Sequence, residues 1–171
     1  MLNDKIEKTL NDQVNAEIYS AYLYLSMGAW FTDRGLDGCA NWMRVQAQEE
    51  MFHAMKFFDF IIERGGRVVL EAIGKPQGDW GSPIEAFEGA YEHEKYITGR
   101  INDIAHLAQQ EKDNATNNLA QWFVNEQVEE EASVDDLIRK LRLVGPDGPG
   151  LFIIDRELKQ RVFTPPAAGG E

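Results

Sequence analysis

The sequence has 171 residues, a formal net charge of −12 and a single cysteine, Cys39. This length suits one domain with a core large enough to fold alone, and the acidic balance argues against a nucleic-acid-binding protein, which needs a basic surface. One cysteine excludes an internal disulfide and a cysteine-rich metal domain. No apolar run approaches the ~20 residues of a membrane span, and the first residues lack the hydrophobic segment of a signal peptide. We therefore expect a cytoplasmic protein that acts on neither membranes nor nucleic acids.

Helical periodicity covers most of the chain. We predict four long helices over residues 2–31, 37–64, 82–111 and 113–143, and a short fifth helix over residues 149–161, outside the bundle. We expect a single domain over residues 1–171, with the bundle over 2–143 and a mobile tail over 164–171. The sequence shows no pair of β-strands and no internal repeat. The expected fold class is therefore all-α.

The connection between the second and third helices is unusually long. Glycines after Arg64 end the second helix, Ser82, Pro83 and Glu85 form the start signal of the third, and Asp113 can cap the fourth. A helix of ~28 residues is ~42 Å long, and the ~15 residues of the connection can reach ~50 Å when extended. We therefore predict that the connection crosses the whole bundle and makes the second and third helices parallel. The second and fourth helices are then antiparallel.

Each long helix has a core-facing apolar stripe that a carboxylate interrupts near its middle. The four acids are Glu17, Glu50, Glu94 and Glu130. Burying an isolated carboxylate is costly, so an acid placed in a core protonates, pairs with a base or binds a metal. The nearest cations are expected on other helix faces, and they are Arg44, Lys56 and Lys95. A single such acid would usually be solvated, but four in register indicate a metal site.

The second helix adds an imidazole to this set. Glu50 and His53 lie three residues apart on one helix face, so one metal ion can bind both. Oxygen-rich ligands with one imidazole suit iron, and a pair of metal ions would offset the four negative charges. The spacing Glu-x-x-His is common by chance, and its weight comes from the other acids.

Three segments together resemble a known family: NAEIYSAYLYL at residues 15–25, QEEMFHA at 48–54 and WFVNEQVEEE at 122–131. Along nearly its whole length the chain resembles the non-haem ferritins of prokaryotes. Residues 63–67 and 163–166 are similar to the archaeal members in particular. Ferritin-like di-iron proteins are four-helix bundles with one long crossover, and their metal ligands project inward from facing helices.

The resemblance implies ligands for two iron ions. Glu17, Glu50 and His53 are expected to hold one iron, and Glu94 and Glu130 the second, with Glu50 bridging the two. Iron is thus the expected cofactor. The chain is then expected to be a ferroxidase that oxidises Fe(II) with dioxygen or hydrogen peroxide.

The fourth helix departs from the general di-iron pattern. It carries Gln127-x-x-Glu130 in place of a second Glu-x-x-His, whereas bacterioferritins use the second histidine, so no haem is expected. The place of Gln127 in the family motif implies that it belongs to the metal site as a residue that orients a ligand or a bound water. Four methionines at helical spacing are expected to fill the core, with haem ligation by one of the last two as a minor alternative: Met27, Met43, Met51 and Met55.

Tyr24 leaves two roles open, and two histidines are expected at the surface. Tyr24 lies seven residues after Glu17 on the same face, where it either packs in the core with its hydroxyl satisfied or, as the resemblance implies, acts beside the iron as hydrogen-bond partner or electron donor. His93 points ~100° away from Glu94, so we expect it at the surface, as we do His106.

A second group of acids is expected beside the iron pair. Glu49, Glu126 and Glu129 each lie one residue before Glu50, Gln127 or Glu130, a rotation of ~100° about the helix axis. Because the second and fourth helices are antiparallel, equal offsets fall on one flank. These three acids could be a solvated face, but the resemblance implies an additional, weaker iron site.

The resemblance also implies storage. The ferric product would enter a mineral inside a closed shell of identical subunits, 24 by family resemblance, with the fifth helix packed between subunits around a symmetry axis. One alternative is a di-iron carboxylate oxidase or peroxidase without a storage role, which would need an electron-delivery module or a substrate pocket. Another is a bundle that only assembles, which would carry apolar residues at the four acid positions.

Overall fold

The computed structural model describes residues 2–145 and 148–165. Within these residues the chain forms α1 (Asp4–Asp33), α2 (Asp37–Glu63), α3 (Pro83–Gln110), α4 (Asn114–Val144) and α5 (Pro149–Leu158), and no strand. The all-α prediction is confirmed, and every predicted helix end lies within three residues of the observed one. The predicted mobile tail falls mostly on residues 166–171, outside the described residues. None of the described helices combines the length and hydropathy that crossing a membrane requires.

The start signals seen in the sequence act as caps. The hydroxyl of Ser82 accepts a hydrogen bond from the backbone N–H of Glu85 at 3.2 Å. The carboxylate of Glu85 accepts from Gly81 N–H at 3.0 Å, one residue before the position that a capping box predicts. Asp113 caps α4 by accepting from Thr116 N–H at 3.0 Å. Ser82 and Asp113 each satisfy a donor that the first helical turn leaves free.

Contacts across the bundle fix the direction of α3. Tyr24 of α1 contacts Glu94 of α3, and Gln13, eleven residues earlier, contacts Arg100, six residues later. Helices α1 and α3 are therefore antiparallel. A turn of three residues, 34–36, makes α1 and α2 antiparallel as well. It follows that α2 and α3 are parallel, as the length of the connection predicted.

Helices α2 and α4 run in opposite directions. Gln46, near the start of α2, contacts Glu130 in the second half of α4. At the other end, Arg64 donates two hydrogen bonds of 3.0 Å to the carboxylate of Asp113, just before α4 begins. Gly65 follows with a φ of +72°, a conformation that favours glycine and ends α2. The antiparallel arrangement predicted from the crossover is confirmed.

The crossover is held against α1 by side chains of α1. Four of them form hydrogen bonds with the connection at successive levels of the bundle, and they join Asn11 to Arg67 and Val69, Asn15 to Glu71 and Ala72, Ser26 to Gln77, and Trp30 to Asp79. All of these contacts except that between Trp30 and Asp79, which joins two side chains, satisfy backbone groups of a segment without regular structure of its own. The extended connection therefore has a defined path along the bundle.

The core consists of two apolar halves with a polar layer between them. One half contains Tyr24, Phe31, Met43, Phe87 and Leu141 among others. The other contains Leu10, Phe57, Ile61, Ile101 and Phe123 among others. The rings of Phe57 and Phe123 stack at a centroid distance of 4.0 Å. These halves fix the backbone around the layer that carries the acids.

Helix α5 packs across the start of α2. Asp155 accepts a hydrogen bond from the backbone N–H of Cys39 at 2.8 Å. A Cβ on Gly38 would lie 1.6 Å from the carbonyl oxygen of Asp155, so the close approach requires glycine. We expected the whole apolar stretch of α5 to lie outside the bundle, but Ile154 is buried against it, while Phe152 is 69% exposed.

Candidate metal centre

The polar layer of the bundle brings together one acid from each long helix. The exposed fractions are 0% for Glu17, 1% for Glu50, 1% for Glu94 and 9% for Glu130, and the imidazole of His53 is 3% exposed. Each acid lies on the apolar stripe of its helix, so burial of the neighbouring apolar turns forces the carboxylate into the core. The structure thus places all five sequence-predicted ligands in one buried layer.

Glu17, Glu50 and His53 form the tightest group in this layer. One ligand atom from each of the three lies within 4.8 Å of the others, and Glu50 Oε2 is 3.6 Å from His53 Nδ1. Glu17 Oε2 and Glu50 Oε1 are buried and have no hydrogen-bond partner among the described residues. A buried polar atom left unsatisfied is costly, and a bound cation would satisfy both. Two carboxylates and one imidazole fit iron or another divalent transition metal.

Glu94 faces this group from α3. The hydroxyl of Tyr24 donates to Glu94 Oε1, and the side-chain amide of Gln127 donates to Glu94 Oε2 at 3.1 Å. The same amide nitrogen lies 3.3 Å from Thr98 Oγ1. Gln127 therefore contacts a predicted ligand, and its role in orienting that ligand stays a prediction.

Mutual repulsion and burial change the proton affinity of these acids. Burial raises the pKa of Glu50 well above its usual range, and the charges of Glu94, Glu17 and Glu130 add to the effect. Burial and the charge of Glu130 raise the pKa of Glu94 to about 8. Burial also raises the pKa of Glu17, although His53 opposes the change. Without metal Glu94 therefore retains its proton near neutral pH.

The second group of acids lies where helix geometry predicted. Glu49, Glu126 and Glu129 line a cavity of about 290 Å³ beside the buried layer, together with Glu130. His53 lies between the buried layer and this second group of acids, since its Nδ1 faces Glu50 and its Nε2 is 3.9 Å from Glu126 Oε2. Burial raises the pKa of Glu49 to about 7. We call this space the flank cavity.

Comparison with known proteins identifies the family. A model described as a ferritin-like domain matches residues 7–144. The chain is 44% identical over 158 residues to a probable bacterial non-haem ferritin-like protein of Haemophilus influenzae, which covers 92% of this chain and 96% of that protein. It is 40% identical over 161 residues to a bacterial non-haem ferritin of Bacteroides fragilis, covering 94% and 100%. The chain belongs to the ferritin family.

Solved structures of archaeal ferritins share the fold of this ferritin. The open-pore ferritin of the hyperthermophilic archaeon Archaeoglobus fulgidus matches with a TM-score of 0.94 and 56% identity, covering 95% of this chain and 100% of that one. A form of the same ferritin engineered to be closed gives a TM-score of 0.94 and 56% identity over 96% and 100%. The similarity to archaeal members suggested by residues 63–67 agrees with these matches.

In this ferritin two glutamines hold the carboxylates of Glu17 and Glu130, a role that we did not predict from the sequence. Gln13 donates to Glu17 Oε1 at 2.7 Å, and Gln46 donates to Glu130 Oε2 at 2.8 Å. Arg100 in turn donates from Nε to Gln13 Oε1 at 2.8 Å. The signal was present, because each glutamine is a polar residue on a core-facing stripe, four residues before a predicted ligand. The arginine could not be found from spacing, because it lies on another helix.

A second arginine reaches the site from beyond α5. The guanidinium of Arg161 donates to Gln46 Oε1 and, at 2.6 Å, to Glu49 Oε2. Arg161 and Thr164 also line the flank cavity. Among the described residues no lysine or arginine pairs directly with the four buried acids, as we expected, but each of the two arginines reaches one of them through a glutamine. No sequence pattern locates Arg161, whose position depends on the path of the chain after α5.

Tyr24 packs in the core with its hydroxyl satisfied, the first of its two predicted roles. It is 0% exposed, its hydroxyl donates to Glu94, and its ring meets the ring of Trp42 edge-on at 6.5 Å. Burial and the charge of Glu94 raise its pKa well above the usual range. The hydroxyl therefore keeps its proton and remains a donor. A role as electron donor stays a prediction.

His93 lies less exposed than we predicted. It is half-buried, its Nε2 is 2.7 Å from Ser20 Oγ, and the ring of Tyr19 lies 5.9 Å away. Burial lowers the pKa of His93 to about 4. The error arose because helix rotation alone ignores the aromatic neighbours that cover this face of α3. His106 is exposed, as predicted.

The four methionines divide into two pairs. Met27 is 1% exposed and Met43 is 0% exposed, so both fill the core as predicted. Met51 and Met55 are 42% and 43% exposed, and for these two the prediction of core packing is wrong. They occupy an outer face of α2, where the apolar stripe does not reach.

Proposed function

We propose that this chain is the subunit of an iron-storing ferritin that oxidises Fe(II) with dioxygen or hydrogen peroxide. The observation that carries the proposal is the buried layer in which Glu17, Glu50 and His53 converge and two carboxylate oxygens lack partners. Membership of the ferritin family supports the same activity. The iron is both the substrate and the material stored.

The proposed ligands divide between two iron positions. Glu17, Glu50 and His53 hold one iron, while Glu94 and Glu130 hold the second, with Glu50 bridging. Two Fe(II) ions bound side by side supply two electrons together to the oxidant, which avoids one-electron products. Because their pKa values are raised, the acids keep protons in the metal-free protein, and they release these protons when cations bind.

Neighbouring residues keep the ligands in place. Tyr24 and Gln127 each donate a hydrogen bond to one oxygen of Glu94, which orients that carboxylate. Gln13 and Gln46 do the same for Glu17 and Glu130. Such supporting contacts fix ligand orientation in metal sites. The apolar halves of the core exclude bulk water from both sides of the layer.

The flank cavity is the proposed position of a third, weaker iron site. Glu49, Glu126 and Glu129 would be its ligands, and the contact between Glu126 and His53 supports a position beside the pair. More exposed acids bind a cation less tightly because water screens their charge. We propose that iron passes through this site on its way to or from the pair. If the triple variant with alanine at these positions behaves like wild type through repeated iron additions, the acids are surface charge only.

We also propose that the subunits form a closed shell of 24 copies in the cytoplasm. The apolar face of α5 supports assembly, because Phe152 is 69% and Ile153 is 63% exposed. A monomer seldom presents such a surface. The oxidised iron would collect as mineral inside this shell.

Iron loading of the purified protein tests the storage function. Fe(II) is added in repeated portions with air or hydrogen peroxide, and the iron retained per subunit is measured after gel filtration, with particle size by light scattering. We expect iron far beyond three ions per subunit, on particles much larger than a monomer. Sustained oxidation with only a few ions retained would instead indicate an oxidase without storage. A Glu50→Ala variant is the control for oxidation that does not need the pair.

A further inference from the structure

The chain after α5 folds back onto α2 and places Arg161 at a defined point. The side-chain amide of Asn41 donates to the carbonyl oxygens of Leu158 at 3.1 Å and Arg161 at 2.9 Å. The guanidinium of Arg161 lies over the ring of Trp42, 4.6 Å from its centroid. Cation–π contact and the two backbone contacts together hold the side chain where it is.

From this point the guanidinium contacts the flank cavity directly and the buried layer through Gln46. It donates to Gln46 Oε1 and to Glu49 Oε2. A guanidinium has donors and no acceptor, so the oxygen of the Gln46 amide must face Arg161 and its nitrogen must face Glu130. The observed 2.8 Å contact from Gln46 Nε2 to Glu130 Oε2 follows from that constraint. Arg161 therefore sets which group Gln46 presents to Glu130.

The opposite side of the layer repeats half of this arrangement. Arg100 donates to Gln13, and Gln13 donates to Glu17. Arg100 forms no ion pair with a carboxylate among the described residues, whereas Arg161 pairs with Glu49 at 2.6 Å. Only Arg161 combines the orientation of a glutamine with a direct contact to the flank cavity.

The charge of Arg161 opposes cation binding in the flank cavity. Four carboxylates line the cavity, and Arg161 is the only lysine or arginine among its described lining residues. A guanidinium stays charged at every accessible pH. A cation that binds Glu49 must therefore share that carboxylate with a fixed positive charge, or displace it.

We propose that Arg161 is a positioning residue that weakens the hold of the flank cavity on di- and trivalent cations while it orients Gln46 toward Glu130. This inference rests on the iron site proposed there. The guanidinium takes the place of a cation when the cavity holds none, and it competes with each cation that enters. The cavity then passes iron on rather than retaining it.

Calorimetric titration of the assembled protein with Zn(II), which is redox-inert, tests the proposal. In wild type we expect a tight class of sites at the pair and a weaker class at the flank cavity. Arg161→Gln should make the weaker class about tenfold tighter, because it removes one positive charge within a few ångströms of the ligands. Arg161→Lys should restore wild-type affinity, since the charge is kept. Arg156→Gln, an exposed residue of α5, is the control for the same change in net charge.

The variant lacking Glu49, Glu126 and Glu129 separates this inference from the proposed function. In that background the weaker class should vanish, and Arg161→Gln should have no further effect on it. If the weaker class of sites exists but binds Zn(II) with equal affinity in Arg161→Gln and Arg156→Gln, the role of Arg161 is overturned and the flank site stands. If neither wild type nor Arg161→Gln binds more Zn(II) ions than the triple variant, the role of Arg161 and the proposed flank site are both overturned.

Thermal unfolding and particle size are measured for every variant. If Arg161→Gln fails to fold, Arg161→Met replaces it, because an unbranched side chain can still cover Trp42 while the charge is absent. Arg161→Met is expected to show the same tenfold gain, and an affinity equal to wild type would contradict the proposal.

Discussion

Glu50 lies at the centre of the buried acidic layer, and its surroundings explain why the layer suits a cation. It faces the carboxylates of Glu17, Glu94 and Glu130, which raise its pKa together with burial. One of its oxygens has no hydrogen-bond partner among the described residues. Such a group is costly in the metal-free protein, and its removal relieves repulsion. The arrangement favours metal binding at the expense of stability.

Alanine at the proposed ligands should therefore separate activity from stability. We expect Glu50→Ala and His53→Ala to abolish fast Fe(II) oxidation, measured by stopped-flow absorbance. Both variants should keep the fold, and the melting temperature of metal-free Glu50→Ala should stay unchanged or rise, because removal of a buried acid relieves the repulsion within the layer. The matched controls are Glu63→Ala and His106→Ala, which replace exposed residues. Wild-type oxidation rates in both ligand variants would rule out the di-iron proposal.

The stability of the metal-free protein should fall as pH rises. Glu94 has a pKa of about 8 in the folded protein against an ordinary value of 4.5, so the folded state binds more protons between these values. The contribution of Glu94 to the free energy of unfolding is then fully present near pH 4.5 and is lost as pH rises toward 8. His93, whose pKa is lowered to about 4, acts in the opposite direction but only below pH 6.5.

Urea unfolding of chelator-treated protein between pH 6.5 and 8.5 measures this dependence. The free energy of unfolding should decrease across this range, and Glu94→Gln, which cannot ionise, should make the decrease smaller. Saturating Zn(II) should reverse the trend, because metal binding replaces the protons. Stability that is constant or rises across the range would show that the layer is ionised without metal.

At the residue scale, the sequence predicts the acids and singles out Tyr24 and Gln127, which contact Glu94, but it does not predict the other side chains that hold the acids. Glu17, Glu50 and His53 follow from stripe position and spacing, which helix geometry fixes locally. Arg100 and Arg161 act from other parts of the chain, and their contacts depend on packing that no spacing records. The half-buried position of His93 has the same origin, because it results from side chains that fold over it.

At the scale of elements, helix length and connection length determined the topology. The predicted crossover needed only the reach of about fifteen extended residues, and the observed path along α1 follows it. The hydrogen bonds that fix that path, such as those of Asn11 and Trp30, were not predicted. They join residues that are distant in the sequence, so local periodicity carries no trace of them.

The contact between α2 and α5 yields a test at the same scale. Gly38→Ala would place a Cβ 1.6 Å from the carbonyl oxygen of Asp155, so α5 must move away or α2 must distort. We expect a lower melting temperature and faster hydrogen exchange over residues 149–158. Gly99→Ala is the matched control, since its Cβ would meet nothing within 4 Å, and it should leave stability unchanged or raise it slightly. Equal behaviour of the two variants would show that α5 is loosely held.

At the scale of the whole molecule, apolar surface and negative charge oppose each other. Leu143, Phe152, Ile153 and Val162 are between 63% and 86% exposed at the end of the chain that carries α5. Each subunit also carries a formal net charge of −12. Burial of the apolar surface favours association of subunits, while their charges repel one another. The balance between the two should depend on salt.

The assembly of purified subunits should therefore respond to ionic strength and to the apolar face. We expect light scattering to show large closed particles at high salt or with iron, and smaller species at low salt without metal, since salt screens the repulsion. Phe152→Glu should prevent assembly under all of these conditions, because it buries a charge at the contact. Gln160→Glu, an exposed change with the same added charge, is the control and should assemble like wild type. A wild-type protein that remains monomeric at high salt with iron present would contradict the shell, and with it the storage of mineral inside it.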